Sequence, residues 1–163
     1  MIASQVNLYR GKKVVITPLE ETHPAALTLI STWWEACGAQ VRCMLPSVHD
    51  RVFAAVSHLP HLLSFALVAD LAAREEAALF FDYAASGFRD FTRIAGSHPE
   101  MWRDICLANK TAVLTELAAY QAQLSALQTA LAMGDGVGLE AVFTAASQAR
   151  NQWAHQQMPT AAV

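Results

Sequence analysis

His58 and His61, in the run Ser57-His58-Leu59-Pro60-His61, are the first side chains in this sequence equipped for chemistry. On a helix that spacing puts both rings on one face, converging beside Pro60. Each ring supplies a hydrogen-bond donor whose charge is tunable near neutral pH. A second pair, Arg89 and Arg93, lies in Ser86-Gly87-Phe88-Arg89-Asp90-Phe91-Thr92-Arg93. Stacked one helical turn apart, two like charges repel unless an anion sits between them, and the guanidinium fork suits a carboxylate or phosphate. Ser86 and Gly87 are small, and glycine lets the backbone approach a ligand closely. Together these residues predict a pocket for a small anion, foremost a carboxylate. The alternative is a pair of solvated arginines partnered by Asp90.

A metal at the histidine pair needs a third protein ligand, and only His49 lies within the segment. A metal-binding helical protein built on His49, His58 and His61 is therefore a weaker reading, and no metal is assigned. The three cysteines, Cys37, Cys43 and Cys106, match no ligand spacing and are expected to be reduced, small apolar fillers. No Gly-x-Gly-x-x-Gly follows a strand, and neither a Gly-x-x-x-x-Gly-Lys-Ser/Thr loop nor a Gly-x-Ser-x-Gly elbow occurs. The glycines of Gly134-Asp135-Gly136-Val137-Gly138 follow a helical run and mark a turn.

A chain of 163 residues, 54% hydrophobic, has enough apolar material for a real core. Only 15% of it is charged, so apolar surface is expected to be covered by another subunit, most simply in a homodimer. A net charge of −3 gives no field to hold nucleic acid or an anionic membrane. The apolar run Leu62–Leu71 is too short to span a bilayer, and Met1–Lys13 lacks the apolar core of a secretion signal. The expected compartment is the cytoplasm.

The elements that must position these side chains begin with two strands. Residues 13–17 and 40–44 read as strands flanking a helix from Ala25 to Ala36, with Thr22 as N-cap, Pro24 in the first turn and Gly38 at its end. One strand-helix-strand unit cannot bury both faces of a sheet, which makes it a remnant of a larger α/β layer. Beyond Pro46 the pattern is helical. Ser47 and Asp50 suggest a capping box, and Val52, Val56, Leu59, Leu63 and Leu67 carry a helix to about Arg74, bent at Pro60. A short helix over Glu75–Tyr83 and a break at Ala84–Gly87 come next. Ser97, Pro99 and Glu100 open a helix that can run to Met133, striped by Leu107, Leu114, Leu117, Leu124, Leu127 and Leu131. A last helix spans Leu139 to about Gln157. The expected fold class is mostly α, a helical bundle preceded by a short β-α-β remnant.

Four blocks make the sequence familiar: His49-Asp50-Arg51, Ser57–His61, Gly87-Phe88-Arg89-Asp90-Phe91-Thr92-Arg93-Ile94-Ala95, and Pro99-Glu100-Met101-Trp102-Arg103-Asp104-Ile105. In this order and spacing they resemble the prephenate dehydrogenase family. The stretch from Leu8-Tyr9-Arg10-Gly11 to Thr17-Pro18 resembles the end of that family's nucleotide domain.

The resemblance implies that residues 1–46 are the C-terminal remnant of a Rossmann NAD(P)-binding domain. Residues 47–158 would be a helical substrate-binding and dimerisation domain like the C-terminal domain of 6-phosphogluconate dehydrogenase, and 159–163 a tail. The implied reaction is oxidative decarboxylation of prephenate, or the equivalent step on arogenate, with NAD or NADP, on the route to tyrosine. His58, His61 and Arg93 would hold substrate, with Arg93 facing a carboxylate and Arg89 beside the pocket. Ser86 and Gly87 would form the small-residue turn near it, Ser86 replacing a frequent glycine. The family's catalytic histidine and glycine-rich loop would belong to a preceding segment, since His23 does not match. The chain alone would then be inactive. The competing reading is a non-catalytic dimerisation or tyrosine-sensing module derived from the same domain.

Overall fold

Val14, Val15 and Ile16 are β-branched and favour extended backbone, and they form the body of β1 (Lys13–Ile16). In the computed structural model, which describes residues 7–157, β1 pairs in parallel with β2 (Gln40–Cys43), Lys13 opposite Gln40 and Ile16 opposite Cys43. The connection is α1 (Pro24–Ala36). Its N-cap is His23, not Thr22: His23 Nδ1 accepts from the Ala25 amide at 3.2 Å. The Thr22 hydroxyl is occupied upstream, accepting from the Leu19 amide at 2.9 Å. Gly38 lies just past the end of α1 at φ +84°, and a Cβ there would lie 3.2 Å from the Arg10 Cα, so this position requires glycine. The expected β-α-β unit is present, each strand one residue shorter than expected.

From Pro46 the chain is helical to Ala72. α2 (Pro46–Phe53) starts one residue earlier than the expected Ser47 cap, with Leu45 as N-cap and no side-chain capping bond. A π-helical turn, Ala54–His58, leads directly into α3 (Leu59–Ala72), and the Leu59 amide bonds the Ala54 carbonyl five residues back. The interruption expected at Pro60 is thus realised as a widened turn just before it. The apolar run Leu62–Leu71 lies inside this longer helix. The 27-residue helix Pro46–Ala72, with a mean hydropathy of 1.7 over its most apolar window, is long and apolar enough to cross a membrane. A central core helix of a globular domain meets the same criterion, and this helix carries Ala54, His58, Leu59 and Ser64, four of the six buried residues among those described.

The remaining elements are α4 (Ala77–Asp82), α5 (Ser86–Thr92), a 3₁₀ turn (Arg93–Gly96), α6 (Pro99–Ala108), α7 (Lys110–Met133) and α8 (Gly136–Gln157). Two expectations are corrected here. His98, not Ser97, caps α6, its Nδ1 accepting from the Met101 amide at 3.4 Å. The helix opened by Pro99 does not run to Met133, because Asn109 leaves helical geometry (φ −107°, ψ 32°) and divides α6 from α7. The last helix begins at Gly136, three residues before Leu139.

The described chain divides into two compact units, one ending at Glu116 and one starting at Leu117. In the first, α3 is the hub, packed against α4, α5 and the 3₁₀ turn. In the second, the end of α7 and α8 expose Leu131, Val137, Phe143 and Trp153. Leu107, Leu114, Leu124 and Leu131 of the leucine stripe are also exposed, and the buried residue of α7 is Val113. Leu117 and Leu127 of the same stripe are half-buried, so one copy of the chain covers it only in part. The tail expected over 159–163 lies outside the described residues.

Candidate functional site

The π turn and the first turn of α3 carry His58 and His61, and both rings meet Trp102 of α6. The His61 ring stacks on the indole, centroids 3.4 Å apart and planes 18° from parallel. The His58 ring meets it edge-on at 6.2 Å. The convergence expected from the three-residue spacing is present, with Trp102 as its third wall. Beside it, His61, Leu62, Phe65, Trp102 and Cys106 line an apolar cavity of about 230 Å³. The Trp102 Nε1–H is buried with no hydrogen-bond partner among the described residues. Such a donor costs free energy until an acceptor meets it.

Each ring has one nitrogen already engaged. His61 Nδ1 lies 2.9 Å from the Ser57 carbonyl, which only accepts, so Nδ1 carries the proton. His58, 9% exposed, has its Nδ1 3.3 Å from Asn109 Nδ2. Burial holds the His58 pKa below its ordinary value, the neighbouring His49 lowers it further, Asp50 opposes the shift and His61 adds to it. The surroundings thus favour the neutral form of the ring over the charged one.

His49 is turned toward Asp50, Nδ1 3.0 Å from Oδ1, and packs on Phe53 at a centroid distance of 4.4 Å. Among the described residues no three His, Cys, Asp or Glu side chains are grouped so as to hold a metal ion.

The arginines are carried by the segment that packs against α3. Arg89 is in α5 and Arg93 opens the 3₁₀ turn with α-helical backbone angles, which preserves the one-turn spacing. Arg89 is mostly exposed, its Nε 4.0 Å from Asp90 Oδ1. No carboxylate among the described residues lies within ion-pair distance of Arg93. Ser86 and Gly87 form the first turn of α5, not a turn preceding it. A Cβ at Gly87 would meet nothing within 4 Å, so the space above it is open.

Two residues of this site were not singled out from the sequence. Trp102 lies inside a quoted block, and its signal was a large aromatic three residues after a helix-opening proline. Asn109 had a fainter one, a polar residue of low helix propensity in an apolar run.

Residues 45–145, which contain every side chain of this site, match the family described as "Prephenate dehydrogenase, dimerization domain". The chain belongs to this family. Among its relatives, the cyclohexadienyl dehydrogenase of Zymomonas mobilis is 35% identical over 150 residues, 91% of this chain and 51% of that protein. A prephenate dehydrogenase of Aquifex aeolicus, solved in complex with hydroxyphenyl propionate and NAD+, superposes with a TM-score of 0.83 at 40% identity, covering 90% of this chain and 51% of that one. The Synechocystis arogenate dehydrogenase gives 0.80 at 29% identity over 90% of this chain and 54% of that one. The chain spans about half the length, or less, of the curated relatives it matches. The mostly helical fold with its two-stranded parallel sheet agrees with these neighbours.

Proposed function

We propose that this chain is the substrate-holding and subunit-pairing half of a prephenate or arogenate dehydrogenase, acting in tyrosine biosynthesis in the cytoplasm. The observation that carries the reading is the convergence of His58, His61 and Trp102 beside an apolar cavity on α3, the helix against which the Arg93 segment packs. A six-membered ring bearing carboxylates has two needs, a flat apolar surface and fixed cationic or donor groups at its rim. Trp102 with the cavity suits the first, and we assign the second to His58, His61 and Arg93, the last carried by the segment that packs against α3. Ser86 and Gly87 leave open space next to Arg89 and Arg93. The hydroxyphenyl propionate held by the Aquifex enzyme has this same chemistry, a ring and a carboxylate.

The reaction of the whole enzyme removes a hydride from the hydroxyl-bearing ring carbon while carbon dioxide departs and the ring becomes aromatic. NAD or NADP accepts that hydride when bound. The residues described do not fit such a cofactor: the β1–α1 connection, 17–23, holds no glycine to bring backbone close to a pyrophosphate. No hydride-transfer step is therefore derived for this chain, whose own residues bind and orient. Its partners are the small-molecule substrate and a second copy of itself.

Titration calorimetry of the 163-residue chain with 4-hydroxyphenylpyruvate, the aromatic product of the prephenate reaction, tests the pocket. The expected result is saturable binding that weakens at least tenfold in Arg93→Ala, the loss of one charge-assisted contact of roughly 1.5–3 kcal/mol. Equal binding by both forms removes Arg93 from the site. Incubation with prephenate and NAD or NADP is expected to give no turnover. Tyrosine binding with no affinity for the keto acid favours a sensing module instead.

A further inference from the structure

Asn109 stands where α6 gives way to α7, and its side chain reaches back to α2 and the π turn. Its Nδ2 donates to the Asp50 carbonyl at 2.7 Å and lies 3.3 Å from His58 Nδ1. These two contacts fix one another. A backbone carbonyl only accepts, so the side of the Asn109 amide facing Asp50 must be the NH₂ and not the oxygen. That same NH₂ carries a second hydrogen and no lone pair to offer, so the ring nitrogen it meets must accept. The His58 proton therefore resides on Nε2. A protonated ring would set an Nδ1–H against an N–H, two donors face to face.

We propose that Asn109 is a positioning residue that locks His58 as the neutral Nε2–H tautomer, making it a fixed hydrogen-bond donor and not a cation. His61 is set the opposite way: its Nδ1–H is committed to the Ser57 carbonyl, so the neutral form of this ring is the one with a bare Nε2. The pair thus offers one donor and one acceptor from neighbouring rings, a set complementary to a hydroxyl group, which both gives and receives a hydrogen bond. The tautomer follows from the Asn109 contacts alone. Its use toward a substrate oxygen rests on the pocket proposed above.

The charged and titratable groups around His58 agree. On α2, the His49 ring opposes a charge and the Asp50 carboxylate favours one; on α3, His61 opposes it; burial outweighs each of them. From α6, Trp102 presents an uncharged ring.

Long-range ¹H–¹⁵N spectra of the chain labelled at histidine, followed from pH 8 to pH 4.5, read the tautomer of each ring directly. The expected result is a single Nε2–H form for His58 at neutral pH, with a titration midpoint below that of an unstructured histidine. Asn109→Ala releases the lock and gives a mixture of tautomers. Asn109→Asp puts an anionic acceptor at the same place, so His58 switches to Nδ1–H and its midpoint rises by roughly one unit or more. His61, whose bond to Ser57 does not involve Asn109, keeps its Nδ1–H signal in both variants and reports that the fold is intact. If that signal is lost, the wild-type spectrum decides alone. An Nδ1–H tautomer for wild-type His58, or unchanged populations in a folded Asn109→Ala, overturns the proposal. A lock that holds while 4-hydroxyphenylpyruvate fails to bind would sink the pocket and leave the positioning role standing.

Discussion

His58 couples the stability of the fold to pH in a direction set by its surroundings. Its pKa in the folded chain is below the ordinary 6.5, chiefly through burial and then through His49, with Asp50 opposing and His61 reinforcing. The unfolded chain therefore binds the extra proton more readily. The stabilisation is fully present above pH 6.5 and is lost as the pH falls from there through the lowered folded-state value. Urea unfolding of wild type and His58→Gln at pH 7.5 and 5.5 is expected to show a loss on acidification that is larger in wild type. Equal losses would assign the effect to other groups. Arg89 provides the contrast: among the described residues its exposed side chain pairs only with the adjacent Asp90, and Arg89→Ala is expected to change stability by less than about 0.5 kcal/mol. At this scale the sequence was partly legible. The spacing of His58 and His61 told which side chains converge, because helical periodicity is a local property. The partner that meets the His58 Nδ1, Asn109, is 51 residues away, and no local pattern carries that contact.

The π turn and the Asn109 break decide how the helices present these side chains, and they were the two least legible elements. Pro60 signals an interruption, but whether it becomes a bend or a widened turn is decided by the packing of Ala54 and His58, both buried. The apolar spacing runs on from Pro99 to Met133 without a gap, so nothing in the periodicity marks Asn109. The β-α-β unit was legible because β-branched runs, Pro24 and Gly38 punctuate it locally. Ala54, 0% exposed inside the π turn, has no room for a larger side chain. Ala54→Leu is expected to destabilise the chain by about 1–3 kcal/mol, read as a lower denaturant midpoint with an unchanged slope. Deleting Val56 converts the widened turn to ordinary helix while α3 keeps its register with α2, because the widened turn accommodates one extra residue. The expected readout is retained helix content with the tryptophan near-ultraviolet dichroism of the His61 stack on Trp102 preserved, and loss of that signal would show that the two helices had rotated past one another.

A single copy of the chain leaves more apolar surface in water than a monomer of this size comfortably carries. Leu114, Leu124 and Leu131 of the α7 stripe, with Val137, Phe143 and Trp153 of α8, are exposed, and Leu139 and Phe143 line an open groove along α8. Sedimentation velocity is expected to show a dimer, and Phe143→Glu to shift it toward monomer by burying a charge without a partner. A wild-type monomer at tens of micromolar would refute the pairing. The parallel sheet has a consequence of another kind. Among the described residues it has two strands, so β1 and β2 each pair on one side and hold their other row of amides and carbonyls ready for a further strand. Parallel sheets are ordinarily covered on both faces and extended on both sides. For the 163-residue chain taken by itself, these two open rows are expected to promote strand addition between copies, read as light scattering that rises with concentration below the melting temperature of the helices.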